Sequence, residues 1–380
     1  MSIATKLAKL KTIKQDIKNA LEEKGQTPSN VFSTYANNIR AIEAGGGDTS
    51  QEDGLITGEL TSYSNDRVNS IRSYAFYKIT TLTNVEFPNA TSIGDYAFYN
   101  CTSLTNIDLP KITKLGSNAF ENCKALVSAS MPLYELNRNS MDTSNLFYGC
   151  SSLKNVYMPK VVRFGSYIFY KCTSLESIDF QLLQQISDSF CRGCTNLKQV
   201  NLPKLGLVHD HSFDGCTSLT NISLPSVKRL ADYCFQNCST LEIVDIGKLE
   251  QIDSYAFDNC YSLKSFTILN KTKVAGLRSA YVFDTCYHII GTTNPTYNPN
   301  GLKDGYIYVP ASLLSQYKVA TNWTNLASQI VGHQDYVVGD ELVNYSNETY
   351  TTCTWYSDKE MTIEVSSVER NGRYYCKLEA

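Results

Sequence analysis

Cysteine is the residue type in this sequence that first invites a chemical interpretation. The chain has 380 residues, 13 cysteines and only four histidines. Nine of the cysteines recur at nearly constant steps of about 22 residues: Cys101, Cys123, Cys150, Cys172, Cys194, Cys216, Cys238, Cys260 and Cys286. Thiols in register could form disulfides, bind metal ions or carry redox chemistry. However, Phe usually precedes each Cys by three residues and Leu usually follows by three, whereas no His or acidic residue recurs beside them. The pattern therefore favours reduced thiols that fill interior positions.

Two further clusters could bind metal. Cys191 and Cys194 form a C-x-x-C, and His209, Asp210 and His211 are adjacent. Both cysteines coincide with repeat positions, no second C-x-x-C exists, and three consecutive residues cannot all face one ion. The sequence also lacks phosphate-binding glycine loops and the common hydrolase and zinc-peptidase motifs. We therefore predict no catalytic residues, no metal site and no cofactor.

Composition excludes several classes of partner. The formal net charge is −3, and no long run of one charge sign occurs, so nucleic acid is not expected as a partner. No apolar run approaches the length of a membrane-spanning helix, so no membrane insertion is expected. Lysines interrupt the apolar residues of the first 20 positions, so the sequence predicts no signal peptide and synthesis in the cytoplasm.

The spacing of apolar residues predicts the elements that hold the cysteines. Ile107, Asp108 and Leu109 alternate as in a short strand with one buried face, and a proline then turns the chain. Before the Phe position, a helix-capping residue type recurs at eight positions: Ser73, Asp95, Ser117, Ser166, Asp188, Asp210, Asp232 and Ser254. We predict an α/β repeat solenoid of about ten 22-residue coils, each with a short parallel strand and a short capped helical turn. Extra residues at 124–149 and 261–285 should loop out.

The repeat "IGDYAFYNCTSLTNIDLP", residues 93–110, resembles the BspA-type leucine-rich repeat family, and the resemblance extends over residues 68–290. It implies a right-handed leucine-rich-repeat array and a binding or adhesive surface rather than catalysis. The solenoid is assigned to residues 55–290. Residues 305–330, within a C-terminal cap at 291–332, resemble the strand-plus-helix ending of such arrays. Its helix, near Ser312–Ala320, is expected to cover the last coil.

The two ends of the chain differ from the repeats. Residues 1–44 show two amphipathic helical stripes, which predict a helical hairpin for attachment or oligomerisation, although an autonomous two-helix unit fits equally. This hairpin is similar to N-terminal segments of phage and prophage tail-associated proteins. Residues 45–54 are predicted to be a glycine-rich linker. Residues 333–380 are predicted to form a small β-rich tail with a turn at Asn371–Gly372, in which Cys353 and Cys376 could pair.

The solvent face of the repeated strands is the candidate binding site. It presents short polar groups suited to an extended polar ligand, such as a glycan or a peptide, although any solvated sheet has such a face. The candidate ligand-binding residues are Glu86, Asn106, Asp108, Asn155, Tyr157, Asp179, Asn201, Asn221 and Asp245. Four tyrosines on the predicted helical side could also take part in recognition: Tyr77, Tyr99, Tyr148 and Tyr170.

The sequence supports two functional hypotheses. In the first, a phage or prophage tail-associated protein, located on the phage particle, contacts a host cell-surface protein or glycan, and residues 1–44 could form a homo-oligomer. In the alternative, a BspA-like adhesin on the bacterial cell surface binds host proteins or glycans. An enzyme on this scaffold is a third class, but it lacks a catalytic constellation.

Overall fold

The computed structural model describes residues 60–135, 143–291, 296 and 303–333, together with three short strands near the C-terminus. The predicted helical hairpin at 1–44, the linker at 45–54 and the turn at Asn371–Gly372 lie outside the described residues. The statements that follow concern the described residues.

The described chain is a solenoid of parallel strands arranged in two columns. Every strand pair within each column is parallel. The first column contains β1 (Ser62–Ser64), β3 (Asn84–Glu86), β5 (Asn106–Asp108), β7 (Ser128–Ser130), β8 (Asn155–Tyr157), β9 (Ser177–Asp179), β10 (Gln199–Asn201), β12 (Asn221–Leu224), β14 (Ile243–Ile246), β16 (Ser265–Ile268), β18 (Tyr306–Pro310) and β19 (Ile330–His333). The second column contains β2 (Ser70–Ile71), β4 (Ser92–Ile93), β6 (Lys114–Leu115), β11 (Leu207–Val208), β13 (Arg229–Leu230), β15 (Gln251–Ile252) and β17 (Gly276–Leu277). An isolated parallel bridge between Arg163 and Gln185 continues the second column.

The number of turns exceeds the predicted ten. About twelve turns are present, because β1 lies before residue 68, where the repeat resemblance begins, and β18 and β19 lie beyond its end at residue 290. The long step between the cysteines at 123 and 150 leaves the stacking intact, since Ser128 in β7 pairs in register with Asn155 in β8. The longer step between these cysteines therefore does not shift the strand register.

The predicted helical turns are wrong. The repeated coils contain consecutive tight turns there, and Tyr96 (φ 56°) and Asn100 (φ 59°) show the left-handed backbone found twice in most coils. The amide of Phe98 donates to the carbonyl of Ala119 in the next coil (2.8 Å), and that of Asn100 donates to Glu121 (2.7 Å). An α-helix would need these amides for bonds four residues back in the same chain segment. We call the side of the solenoid formed by these tight turns the turn face. Its backbone hydrogen bonds form a ladder from each coil to the next.

Several of the predicted capping residues take part in the same ladder. The hydroxyl of Ser73 accepts a hydrogen bond from the amide of Asp95 (3.0 Å), and the carboxylate of Asp95 accepts one from the amide of Ser117 (2.8 Å). Asp232 accepts in the same way from Ser254 (2.8 Å). Their side chains thus join equivalent positions of successive coils and do not cap helices.

Stacked rings fill the core. Ring centroids lie 4.9–5.8 Å apart along Phe76, Phe98, Phe120, Phe147 and Phe169, and 5.3–5.5 Å apart along Phe213, Phe235, Phe257 and Phe283. Between the two stacks, Cys191 occupies the Phe position. The ring of Phe190 packs edge-on against Phe169 at 5.3 Å, so the core continues through the substitution.

The C-terminal end of the solenoid is closed by a segment that contains helix α2 (Leu314–Val319). Helix α1 (Tyr287–Ile290) and 3-10 turns at Ala280–Val282, Ala311–Leu313 and Thr324–Leu326 complete the helical elements. The amide of Ala275 donates to the hydroxyl of Tyr317 (2.8 Å), and the indole of Trp323 donates to the Ala275 carbonyl (2.7 Å). The two fully buried rings therefore cover the last coil, and β19 adds a strand that the sequence did not predict.

The C-terminal strands form a separate antiparallel sheet. Strands β20 (Cys353–Tyr356), β21 (Glu364–Val365) and β22 (Tyr375–Leu378) are arranged in the order β21-β20-β22. The register places Cys353 opposite Leu378 and Cys376 opposite Trp355. The two cysteines are therefore not directly opposite each other.

The stacked core predicts a strong contrast between two aromatic positions. Phe169 is fully buried, and its replacement by Ala should reduce the free energy of unfolding by about 3–5 kcal/mol because it removes a ring from a continuous stack. Tyr157 is 58% exposed, so Tyr157→Ala should change that free energy by less than about 0.5 kcal/mol. Urea denaturation of the two variants provides the measurement. Equal destabilisation would contradict the assignment of Tyr157 to the outer face.

Candidate binding face and the buried thiol column

The nine repeated cysteines are free and fully buried, which confirms their predicted interior position. Each thiol donates a hydrogen bond to the backbone carbonyl of the Phe position in the preceding coil, at 3.0–3.6 Å. The thiol of Cys216 donates to the backbone carbonyl of Cys191, because Cys191 occupies the Phe position of that coil. A thiol is a weak donor. The column therefore adds a directed contact between coils, a role that sequence reasoning missed when it treated Cys as a small filler.

Burial also decides the chemistry of these thiols. Removal from water raises the pKa of Cys101 and Cys150 well above the ordinary thiol value, and it raises the pKa of Cys123 to about 12. The thiolate is the nucleophile and the metal ligand, so these groups are held in their unreactive form. In the part of the chain that the structure describes, no three His, Cys, Asp or Glu residues are placed to hold a metal ion.

The residues of the two candidate metal clusters make contacts with other residues of the described coils. Cys194 donates to the Phe169 carbonyl (3.0 Å), as its column requires. The ring nitrogen Nδ1 of His209 lies 3.5 Å from the Asp188 carboxylate, whereas Nδ1 of His211 lies 3.1 Å from Asp214. The histidines therefore contact different acids.

The first-column strands present the predicted binding residues. In β5, Asn106 and Asp108 are exposed on either side of buried Ile107, and the other strands repeat this alternation. Eight of the nine predicted residues are exposed: Glu86, Asn106, Asp108, Asn155, Tyr157, Asp179, Asn201 and Asn221. Asp245 is half-buried. We call this surface the strand face.

The strand register places these nine residues in two rows along the solenoid. One row contains Glu86, Asp108, Tyr157, Asp179, Asn201 and Asp245, and the other contains Asn106, Asn155 and Asn221. Neighbouring strands are about 4.8 Å apart, so each row is a closely spaced series. An extended ligand lying along the axis could contact several coils at once.

Some members of the rows bond to the next coil. Ser128 donates to the side-chain oxygen of Asn106 (2.7 Å), and Asn201 donates to the Asp179 carboxylate (3.1 Å). By contrast, the side chains of Asn155 and Tyr157 make no hydrogen bond to any described residue. Strand β8 therefore offers the strand face an exposed amide and an exposed ring that make no hydrogen bond to the described residues.

Two tyrosines of the strand face were missed by sequence reasoning. Tyr306 and Tyr308 in β18 pair with Ser265 and Thr267 and so continue both rows. Their rings lie 6.2 Å apart. They lie outside the 22-residue period, but the alternation in "GYIYVP" is a signal that could have found them.

The tyrosines predicted on the helical side lie on the turn face. Tyr77 stacks on Tyr99 at 5.0 Å, and Tyr148 stacks on Tyr170 at 4.6 Å, with ring planes nearly parallel. Each pair therefore covers ring faces that a ligand would otherwise use. The turn face offers ring edges and hydroxyl groups, which makes it a poorer stacking surface than isolated rings.

Copies of the BspA type Leucine rich repeat region match residues 69–189 and 162–290, which together span more than half of the chain. The chain belongs to this family. No curated protein sequence matches it.

Solved structures with a similar fold come from several bacteria. A leucine rich cell surface protein of Faecalibacterium prausnitzii has 23% identity and a TM-score of 0.39, over 58% of this chain and 62% of that one. The chain thus spans less than two thirds of that protein. A leucine-rich repeat protein of Eubacterium ventriosum has 18% identity and a TM-score of 0.33, over 67% of this chain and 89% of that one. A leucine-rich repeat protein of Bacteroides ovatus has 19% identity and a TM-score of 0.26, over 59% of this chain and 85% of that one.

Within the described residues, no helix is both long and apolar enough to span a membrane.

The buried thiols predict a specific loss of stability in alkali. Burial raises the pKa of Cys123 from 9.0 to about 12, so the unfolded chain releases this proton at lower pH than the folded chain. The stabilisation is complete below pH 9.0 and is lost as pH rises toward 12. At pH 10 one such thiol should lower the free energy of unfolding by about 1 kcal/mol relative to neutral pH. Guanidinium denaturation at both pH values measures the difference.

Cys123→Ala provides the control, because the other titrating groups remain. The variant should be less stable at neutral pH but should lose less stability between pH 8 and pH 10 than the parent protein. An identical pH dependence in both proteins would show that Cys123 is not held protonated by burial.

Proposed function

We propose that this chain is a non-enzymatic binding protein of the bacterial cell surface, similar in role to BspA-like adhesins. Its ligand is an extended polar molecule, a host surface protein or a glycan, which lies along the strand face. The observation that carries this proposal is the pair of polar rows, with exposed Asn155 and Tyr157 near the middle of the solenoid.

The physical basis of binding is a rigid array of weak contacts. Each coil adds one or two short polar side chains, and the sheet holds them before the ligand arrives. Little conformational entropy is therefore lost on binding. Tyr157 adds a large amphipathic contact at low entropic cost. The coils together offer many contacts whose energies add along one ligand.

The family match supports the cell-surface hypothesis over the phage-tail hypothesis. It covers residues 69–290, and no comparison supports the phage-tail resemblance of residues 1–44. Self-association through residues 1–44 remains a proposal, and it would raise avidity by presenting several strand faces together.

Binding through the strand face predicts unequal effects at two exposed tyrosines. The full chain is screened against purified eukaryotic surface proteins and neutral oligosaccharides, and the captured ligand is titrated. Tyr157→Ala and Asn155→Ala should each weaken binding roughly tenfold, because both groups lie centrally on the strand face. Tyr281→Ala is the matched control, because Tyr281 is 51% exposed but stacks on Tyr255 of the turn face.

Two results would contradict the strand-face proposal. One is equal weakening by Tyr281→Ala and Tyr157→Ala, which would indicate a nonspecific contribution of exposed rings. The other is unchanged affinity in both strand-face variants.

A further inference from the structure

Charge is unevenly distributed around the coil. We define the interstrand band as the segments from the end of each first-column strand through the second column: residues 66–71, 88–93, 110–115, 132–135, 159–164, 181–186, 203–208, 225–230, 247–252 and 269–277. The band contains eleven cations and three carboxylates. The cations are Arg67, Lys111, Lys114, Lys160, Arg163, Lys204, Lys228, Arg229, Lys248, Lys271 and Lys273, and the carboxylates are Asp66, Glu135 and Glu250.

The strand face has the opposite balance. Its strands and their flanking residues carry three lysines, Lys154, Lys198 and Lys264, and six carboxylates, Glu86, Asp108, Glu176, Asp179, Glu242 and Asp245. The whole chain has a net charge of −3. The basic character of the band is therefore a local property and does not follow from the overall composition.

One position of the band shows a two-coil period. Counting three residues on from the aligned strand positions, it is occupied in turn by Lys111, Leu133, Lys160, Leu182, Lys204, Ser226 and Lys248. The four lysines are exposed. Leu133 and Leu182 are exposed by 41% and 38%. We call these seven residues the lysine row.

The charges of the row remain available to a ligand. Lys111 donates to the side-chain oxygen of Asn89 (2.7 Å), and Lys160, Lys204 and Lys248 form no salt bridge with any described residue. Elsewhere in the band, Glu250 is already occupied, since it contacts Lys273 at 2.6 Å. The row is thus a series of exposed cations that form no salt bridge with the described residues.

We propose that the lysine row binds a linear anionic polysaccharide that carries an acidic group on every second sugar. Lysines two coils apart are separated by about 9–10 Å, twice the strand spacing, and would each meet one acidic group. The intervening leucines would contact the less polar faces of the sugars between them. This inference concerns a different surface from the strand face and does not depend on the function proposed above.

The spacing of charge argues against nucleic acid as the occupant. A nucleic-acid strand presents a phosphate about every 3.4 Å, which is denser than the lysines of the row. Strand binding also relies on aromatic side chains that stack on bases. The row offers leucine and serine at the intermediate positions, which fit a sparsely charged sugar polymer better.

The test uses the full chain and immobilised hyaluronan, which has a carboxylate on every second sugar. Uncharged dextran and single-stranded DNA serve as comparison ligands. Hyaluronan should be bound with an affinity that falls as salt rises, and dextran should not be bound. Lys160→Glu/Lys204→Glu/Lys248→Glu should weaken hyaluronan binding roughly tenfold or more, because it reverses three charges in register.

The matched control is Lys154→Glu/Lys198→Glu/Lys264→Glu, which makes the same change in net charge on the strand face. It should bind hyaluronan nearly as the parent protein does, provided that circular dichroism shows both triple variants to be folded. Leu133→Ser/Leu182→Ser should weaken binding without changing its salt dependence. Tyr157→Ala should not change the affinity for hyaluronan, because Tyr157 lies on the strand face. The strand-face proposal and the lysine-row proposal can therefore fail independently.

Several results would overturn the proposal. They are absence of hyaluronan binding at low salt, equal loss in the two triple variants, equal binding of dextran, and tighter binding of single-stranded DNA than of hyaluronan. Unchanged affinity in the leucine variant would overturn the two-coil alternation on which the choice of polymer rests.

Discussion

Backbone hydrogen bonds from each coil to the next are the interaction on which the rest of this structure depends. At the turn face, the amide of Phe169 donates to the carbonyl of Phe190 (2.8 Å), and that of Phe235 donates to Ala256 (2.9 Å). A single coil cannot satisfy these groups by itself, and buried amides without partners are costly. Stability therefore arises between neighbours, as expected for a repeat array. The same constraint explains the cap, where Tyr317 and Trp323 bond to Ala275 in place of a further repeat.

The period of 22 residues made most of the interior predictable. Stacking brings the same position of every coil together, so an interior position usually keeps one residue type, and spacing alone identified the Phe and Cys positions. The helical turns could not be excluded in this way. Ser and Asp, as in Ser73 and Asp95, are the residue types that cap helices, and they are equally suited to accept an amide of the next coil. Tyr96 has a left-handed backbone conformation, which could not be predicted because tyrosine is not a residue type that favours it.

The strand face was predictable to a similar extent. Alternation along each strand identified which side chains face solvent, because successive residues point to opposite faces of a sheet. It could not identify which of them are already bonded. The contacts of Asn106 with Ser128 and of Asn201 with Asp179 join residues 22 positions apart and need the register between coils. Alternation also could not distinguish half-buried Asp245 from its exposed counterparts.

Register also explains why net charge is a poor guide to the partners of a solenoid. Charges on different faces of a coil are summed in the formal value of −3, but a ligand contacts one face at a time. At physiological ionic strength the Debye length is about 8 Å, so exposed charges on a distant face are largely screened. Lys160 and Lys204 lie two coils apart in one position, so each is placed to meet a different group of a ligand that lies along the axis. A protein with a small negative charge can therefore present a row that attracts anions, because a position that recurs in every coil multiplies whatever side chain occupies it.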